Sequence, residues 1–152
     1  MRCRIAVIED NPPDVLLIEE ALRSHGIDCE LVHFRDGQEA YSGILGNVGE
    51  ARFSLFILDL NMPRVGGLEV LERLRSETTF QDVPVLVLTS SLSVAERKEA
   101  SRLGATLFVR KPADLYEFLD QVGSAAAQML NIASAPLHAD DSSEMSASGT
   151  SG

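Results

Sequence analysis

Asp59 directly follows an unbroken apolar tetrad, Leu55-Phe56-Ile57-Leu58, and the same placement recurs along the chain. Glu9 and Asp10 follow Ile5-Ala6-Val7-Ile8, Thr89 and Ser90 end Val85-Leu86-Val87-Leu88, and Lys111 comes just after Leu107-Phe108-Val109. Three carboxylates, a hydroxyl and an ammonium thus terminate apolar runs. If those runs are neighbouring strands, the polar groups converge. Carboxylates held this closely raise one another's pKa or gather a cation, and hard oxygen ligands suit magnesium. A divalent ion would also let a carboxylate attack an anionic phosphoryl donor, because it neutralises charge on the transferring oxygens. Lys111 and Thr89 could complete that neutralisation.

The runs themselves read as strands of a parallel sheet, since residues covered on both faces appear as continuous Val, Ile, Leu and Phe. Four such buried strands are expected, with the more polar Glu30-Leu31-Val32-His33-Phe34 as a fifth at an edge. Helical stripes separate them: Val15, Leu17, Ile18, Ala21 and Leu22; then Ala40, Tyr41, Ile44, Leu45 and Val48; then Val70, Leu71 and Leu74. Ser93-x-x-Glu96 is a capping box opening a fourth helix, which stops at Gly104 and has only a thin apolar stripe. Leu115, Phe118, Leu119, Val122, Ala126 and Met129 form a fifth stripe. Alternating strands and helices joined by right-handed crossovers give a doubly wound α/β domain, a five-stranded parallel sheet with helices on both faces. Functional groups of such folds collect at the carboxyl ends of the strands.

Each polar residue taken singly has a plainer explanation. An Asp at a strand end is commonly a helix cap or turn residue, and Thr89-Ser90-Ser91 could simply open a helix. Phe108 could be core filler, and Gly66 and Gly67 could serve a tight turn. The joint order of acidic pair, Asp, Thr/Ser and Lys-Pro carries the functional reading.

With its motifs assembled, Arg4 to about Leu130 resembles the receiver domains of two-component response regulators. The motifs are Ile8-Glu9-Asp10-Asn11, Asp36-Gly37-Gln38-Glu39-Ala40, Leu58-Asp59-Leu60-Asn61-Met62-Pro63-Arg64-Val65-Gly66-Gly67, Leu88-Thr89-Ser90 and Phe108-Val109-Arg110-Lys111-Pro112. The resemblance implies a flavodoxin-like sheet of strand order 2-1-3-4-5. It implies that Asp59 is the phosphoacceptor and that Mg2+ is held by Asp10 directly, by Glu9 through water, by Asp59 and by the backbone carbonyl of Asn61. Leu60, Ser90 and Lys111 would contact the phosphoryl group, Thr89 would bind one of its oxygens, and Phe108 would turn inward with Thr89 as an aromatic switch. Lys111-Pro112 would be a cis peptide. The protein would catalyse only its own phosphorylation and dephosphorylation. Glu9-Asp10-Asn11-Pro12-Pro13-Asp14 further resembles the single-domain regulators paired with phytochrome-type histidine kinases, so the implied partner is a histidine kinase of that type.

Composition bounds the remaining choices. The formal charge of -10 opposes binding to a phosphate backbone, and residues 112–152 carry six acids and no base. Nucleic acid is therefore not an expected partner. No run approaches the roughly 18 apolar residues of a membrane span, so no membrane association and a cytoplasmic location are expected. Cys3 and Cys29 lack CxxC spacing and read as reduced thiols. His25, His33 and His138 are scattered and none recommends itself as a catalytic base. Residues 1–130 form the expected domain, and 131–152, rich in Ala, Ser, Gly and Asp, an expected disordered tail.

Two other function classes compete. A magnesium-dependent phosphohydrolase working through an aspartyl phosphate would place an acid two residues after its nucleophile, where this chain has Asn61. A flavin carrier of the same fold class would meet an acidic, Pro-rich first loop that repels its phosphate. A homodimer through the fourth helix, fifth strand and fifth helix is also expected. The fifth helix, about 25 Å from Asp114 to Leu130, should overhang a strand needing about 15 Å of cover, exposing Met129 and Leu130 beside small residues.

Overall fold

The computed structural model describes residues 3–47 and 52–134. Five strands, β1 (Arg4–Ile8), β2 (Glu30–Phe34), β3 (Leu55–Leu58), β4 (Val85–Thr89) and β5 (Leu107–Arg110), form one parallel sheet in the order β2-β1-β3-β4-β5. Five helices connect and cover them: α1 (Pro12–Ser24), α2 (Gly37–Gly43), α3 (Gly67–Ser76), α4 (Val94–Arg102) and α5 (Leu115–Ser134). Short 3-10 turns at Leu45–Asn47 and Thr78–Phe80 follow α2 and α3. The doubly wound sheet and its expected strand order are borne out.

Alternation along each strand divides the core into two layers. Ile5, Val7, Leu55, Ile57, Leu86 and Leu88 face α1 and α5 with Ile18, Leu22, Phe118 and Val122. Ala6, Ile8, Phe56, Leu58, Val85 and Val87 face the other way, onto Ala40, Val70, Leu71, Leu74 and Ala100. The four-residue apolar runs of β1, β3 and β4 are thus explained by two covered faces. β5 differs from the expectation of a buried strand: Leu107, Phe108 and Val109 are only half-buried, because β5 is itself an edge.

Helix ends are set by local chemistry. Pro12 and Pro13 open α1, where missing N–H groups cost nothing intrahelical. Asp36 caps α2 by accepting from the Glu39 N–H at 2.9 Å. At α4 the capping box is half realised. Ser93 Oγ accepts from the Glu96 N–H, but the Glu96 carboxylate takes the Ser91 hydroxyl, and Ser91 Oγ in turn accepts the Ser93 N–H. Only Ala100 of α4 is buried, so the thin stripe anticipated for this helix is real.

Three expectations are corrected. Cys3 and Cys29 are not separate thiols but a disulfide: β1 and β2 pair with Arg4 opposite Glu30, which sets the preceding cysteines side by side with Cα atoms 4.6 Å apart. The Lys111–Pro112 bond is trans, the form an X–Pro bond prefers by about 0.5–1 kcal/mol. The end of α5 does not overhang. It packs along α1, with Ala125, Ala126 and Met129 buried beside Leu22 and Leu130 partly so. The small residues expected to admit a second copy admit α1 instead, since a Cβ on Gly123 would lie 2.0 Å from His25 Nδ1. The helix also continues to Ser134, into the expected tail. Val48, His138 and residues 135–152 lie outside the described residues.

Candidate functional site

The carboxyl ends of β1, β3 and β4 and the β5–α5 connection open onto one cleft whose lining includes Glu9, Asp10, Asp59, Asn61, Ser90 and Lys111. Backbone bonds fix the edges of this cleft: Asp59 N–H to Ile8 O at 3.0 Å, Glu9 N–H to Phe34 O at 3.0 Å, and Lys111 N–H to Thr89 O at 2.8 Å. Glu9, Asp59, Ser90 and Lys111 therefore each sit one step beyond a strand that the apolar runs create, and Asp10 and Asn61 follow in the same loops.

Glu9, Asp10 and Asp59 each bring one carboxylate oxygen within 4.8 Å of the others, a donor set suited to a hard divalent cation. Their surroundings differ. Glu9 and Asp59 are buried, at 2% and 5% exposure, whereas Asp10 is open to solvent. Glu9 Oε1 pairs with Lys111 Nζ at 2.8 Å, and Glu9 Oε2 accepts the Asn11 N–H at 3.1 Å. The Glu9 carboxyl is pushed up to about 7, chiefly by burial and also by the neighbouring Asp59 charge, against the downward pull of Lys111 and the Asn11 N–H. Burial opposes the Lys111 ammonium, yet hydrogen bonds to Asp14 and Glu9 and the charge of Asp59 outweigh it and hold its pKa above the usual lysine value.

Asp59 Oδ1 accepts the Asn61 N–H at 3.3 Å, and Asp59 Oδ2 lies 3.7 Å from Lys111 Nζ, beyond hydrogen-bond reach. The Asn61 side-chain amide donates to Thr89 Oγ1 at 3.1 Å. Thr89 Oγ1 also accepts the Ser91 N–H at 3.2 Å. With both lone pairs taken, the hydroxyl keeps its own proton to donate. Thr89 is fully buried, and Ser90 beside it is exposed. Leu60 has a buried side chain, and its carbonyl accepts the Gly67 N–H at 3.1 Å, closing the turn into α3.

Phe108 stands apart from this group. It pairs in register with Val87, two residues before Thr89, so Phe108 and Thr89 share a sheet face. Its ring is half-buried beneath the Arg97 guanidinium, which lies 5.3 Å from the ring centroid.

Two contributions escaped the sequence reading. Asp14, at the first turn of α1, bonds Lys111 Nζ at 2.7 Å across 97 positions of sequence. Its spacing from Glu9 marks a helix start and gives no sign of a partner in another element. The segment Asp36-Gly37-Gln38-Glu39-Ala40 also acquires a structural role. Asp36 caps α2 and pairs with Arg64 at 3.3 Å, and Gly37 lies so close to Val65 that a Cβ would meet its carbonyl oxygen at 2.6 Å. This braces the loop that carries Asn61.

A family description, response regulator receiver domain, matches residues 5–123. Response regulator MprA of Mycobacterium bovis (strain BCG / Pasteur 1173P2) is 39% identical over 119 residues, covering 78% of this chain and 48% of that protein. MprA of Mycobacterium tuberculosis (strain ATCC 25618 / H37Rv) is 38% identical over the same shares. The chain thus spans about half the length of these curated relatives. Among solved structures, the phosphorylated cyanobacterial phytochrome response regulator RcpA superposes with a TM-score of 0.79 at 30% identity, covering 87% of this chain and 96% of that one. The Mn(2+)-bound form of response regulator Rcp1 gives 0.78 at 28% identity, covering 90% and 99%. Response regulator RPA3017, described in red light signaling of R. palustris, gives 0.74 at 29% identity, covering 88% and 98%.

Proposed function

The chain belongs to the response regulator receiver domain family, and from that premise we propose that Asp59 accepts a phosphoryl group from a histidine kinase in a magnesium-dependent reaction. The observation that carries the reading is the convergence of Glu9, Asp10 and Asp59 within 4.8 Å with Lys111 beside them. In the transfer, an Asp59 carboxylate oxygen forms a bond to phosphorus as the bond from phosphorus to the donor's imidazole nitrogen breaks, the electron pair leaving with that nitrogen. Asp10, Asp59, the Asn61 carbonyl and, through water, Glu9 would hold Mg2+, which neutralises charge on the transferring oxygens when bound. Lys111 supplies a further positive charge, and the Leu60 and Ser90 backbone with the Thr89 hydroxyl supplies donors. A phosphoryl oxygen that draws Thr89 from Asn61 frees space on the face it shares with Phe108. Thr89 and Phe108 then act as the switch.

Signalling is proposed to run through protein contacts made by α4, β5 and α5, where Leu92, Val94, Leu115 and Tyr116 are exposed. A homodimer is the partner proposed for this face, and a phytochrome-type kinase is the proposed donor, supported by the likeness to the RcpA structure. Residues 1–130 are taken as the receiver domain, 131–152 as a tail whose first four residues prolong α5 to Ser134, and the cytoplasm as the location. A separate phosphohydrolase activity is disfavoured because Asn61, where an acid would be needed, is committed to Thr89.

Acetyl phosphate tests the proposal. It is expected to label the protein with an acid-labile phosphoryl group only when magnesium is present, and Asp59→Asn should abolish labelling. Label retained in Asp59→Asn would overturn the assignment.

A further inference from the structure

Lys111 is shared among three carboxylates, and unequally. Its Nζ lies 2.7 Å from Asp14 Oδ2 and 2.8 Å from Glu9 Oε1, but 3.7 Å from Asp59 Oδ2. Two of its three N–H donors are thus committed, and neither is committed to the residue proposed to carry the phosphoryl group. Asp14 does not belong to the trio of carboxylates that converge for a cation. It reaches Lys111 from α1, where the two prolines before it place it in the first turn and its own N–H closes onto Asn11 O at 3.0 Å. Its carboxylate does no capping: the α1 N-cap is Asn11, which makes no side-chain cap bond.

We propose that Asp14 is a positioning residue for Lys111, a latch that draws the ammonium toward α1 and away from Asp59 until a phosphoryl group competes for it. The inference rests on the receiver reading above. A phosphoryl group on Asp59 brings additional anionic oxygens to the side of Lys111 facing Asp59. Lys111 then exchanges its bond to Asp14 for one to phosphoryl, and the affinity of the site for a phosphoryl group is lowered by whatever that exchange forfeits. The plainer account makes Asp14 a helix-terminus acid that interacts favourably with the α1 dipole. That account predicts a change in stability and none in phosphoryl affinity.

The test measures beryllofluoride, a phosphoryl mimic, binding to the full chain with magnesium by calorimetry. Asp14→Asn, nearly isosteric, is expected to tighten binding by roughly tenfold, the scale of one charge-assisted hydrogen bond released from competition. Asp14→Ser provides a second variant, and thermal melting verifies that each is folded. The same substitutions in a Lys111→Ala background should change affinity by less than about twofold, since the group being competed for is gone. If Lys111→Ala binds the mimic too weakly, the same ratio is read from the initial rate of acetyl phosphate labelling. Unchanged or weaker binding in the Asp14 variants, or an equal gain without Lys111, would overturn the latch. A parent protein that takes neither mimic nor label would instead overturn the receiver reading itself.

Discussion

Gly67 packs so tightly against Asp59 that a β-carbon added to it would lie 2.3 Å from the Asp59 carbonyl oxygen and 2.6 Å from the Leu60 Cα. The obstruction is backbone on both sides, so no rotamer change relieves it. The neighbouring Gly66 meets nothing nearer than 3.8 Å. Gly67 therefore sets how closely the first turn of α3 approaches the proposed phosphoacceptor. Gly67→Ala is expected to lower stability by about 2–4 kcal/mol, in the range of overpacked sites, and to slow Asp59 labelling. Gly66→Ala should leave both nearly unchanged. Denaturant midpoints and labelling rates for the pair check this, and equal effects at the two positions would refute the close-approach argument.

The close approach of Gly67 also marks where sequence reading ends. The β1, β3 and β4 runs were legible because burial on both sheet faces leaves a continuous apolar signature, and the site residues were legible because they directly follow those runs. Contacts between distant elements leave no such signature. Asp14 and Lys111 share no pattern in sequence, and the Cys3–Cys29 bond appears only once strand register is known. Arg75 is similar: its guanidinium bonds the carbonyls of Gly104, Phe80 and Val83, joining α3 to the turns before β4 and β5, where sequence shows only one more helical charge.

Met129 illustrates how a correct helix can carry a wrong surface. Its length suggested an exposed end, but the helix lies along α1 and Met129 is 2% exposed among Leu22, Ile5 and Val122. Met129→Glu should therefore bury an unpaired carboxylate and destabilise the monomer by about 3 kcal/mol or more. Gly123→Ala should cost less, because displacing His25 moves a side chain that is already partly exposed. Thermal melts at two protein concentrations decide the matter. A Met129→Glu protein with parental melting temperature would restore the exposed-end picture.

A dimer on the proposed α4–β5–α5 face must use residues other than the buried Met129 end of α5. Val94 and Tyr116 are 66% and 78% exposed, and Val94 borders a groove with Arg97, Lys98, Leu107 and Phe108. This groove contains the proposed switch ring under Arg97, so its shape should respond to phosphorylation. Sedimentation is expected to show association with magnesium and beryllofluoride but not without them. Val94→Glu and Tyr116→Ser should each weaken it by about tenfold while leaving Asp59 labelling intact. Monomer under every condition would reject the dimer.

The last expectation concerns Glu9 and pH. Its carboxyl is raised from the usual 4.5 to about 7, chiefly by burial. In that window the folded protein holds a proton that the unfolded chain has released, so stability without metal should fall as pH rises from about 4.5 through about 7. Each pKa unit is worth about 1.4 kcal/mol, which puts the Glu9 contribution on the order of 3 kcal/mol. Magnesium reverses the preference, because a cation among Glu9, Asp10 and Asp59 favours the ionised form. Binding should release a proton and tighten with rising pH across the same range. Glu9→Gln should flatten the pH dependence of apo stability and, at pH 8, make the metal-free protein more stable relative to the parent than it is at pH 5. Denaturant titrations at several pH values, with and without magnesium, measure all of this. A parent protein whose metal-free stability rises between pH 5 and pH 7, in a way that Glu9→Gln leaves unaltered, would show that Glu9 is ionised throughout and that burial does not govern its charge.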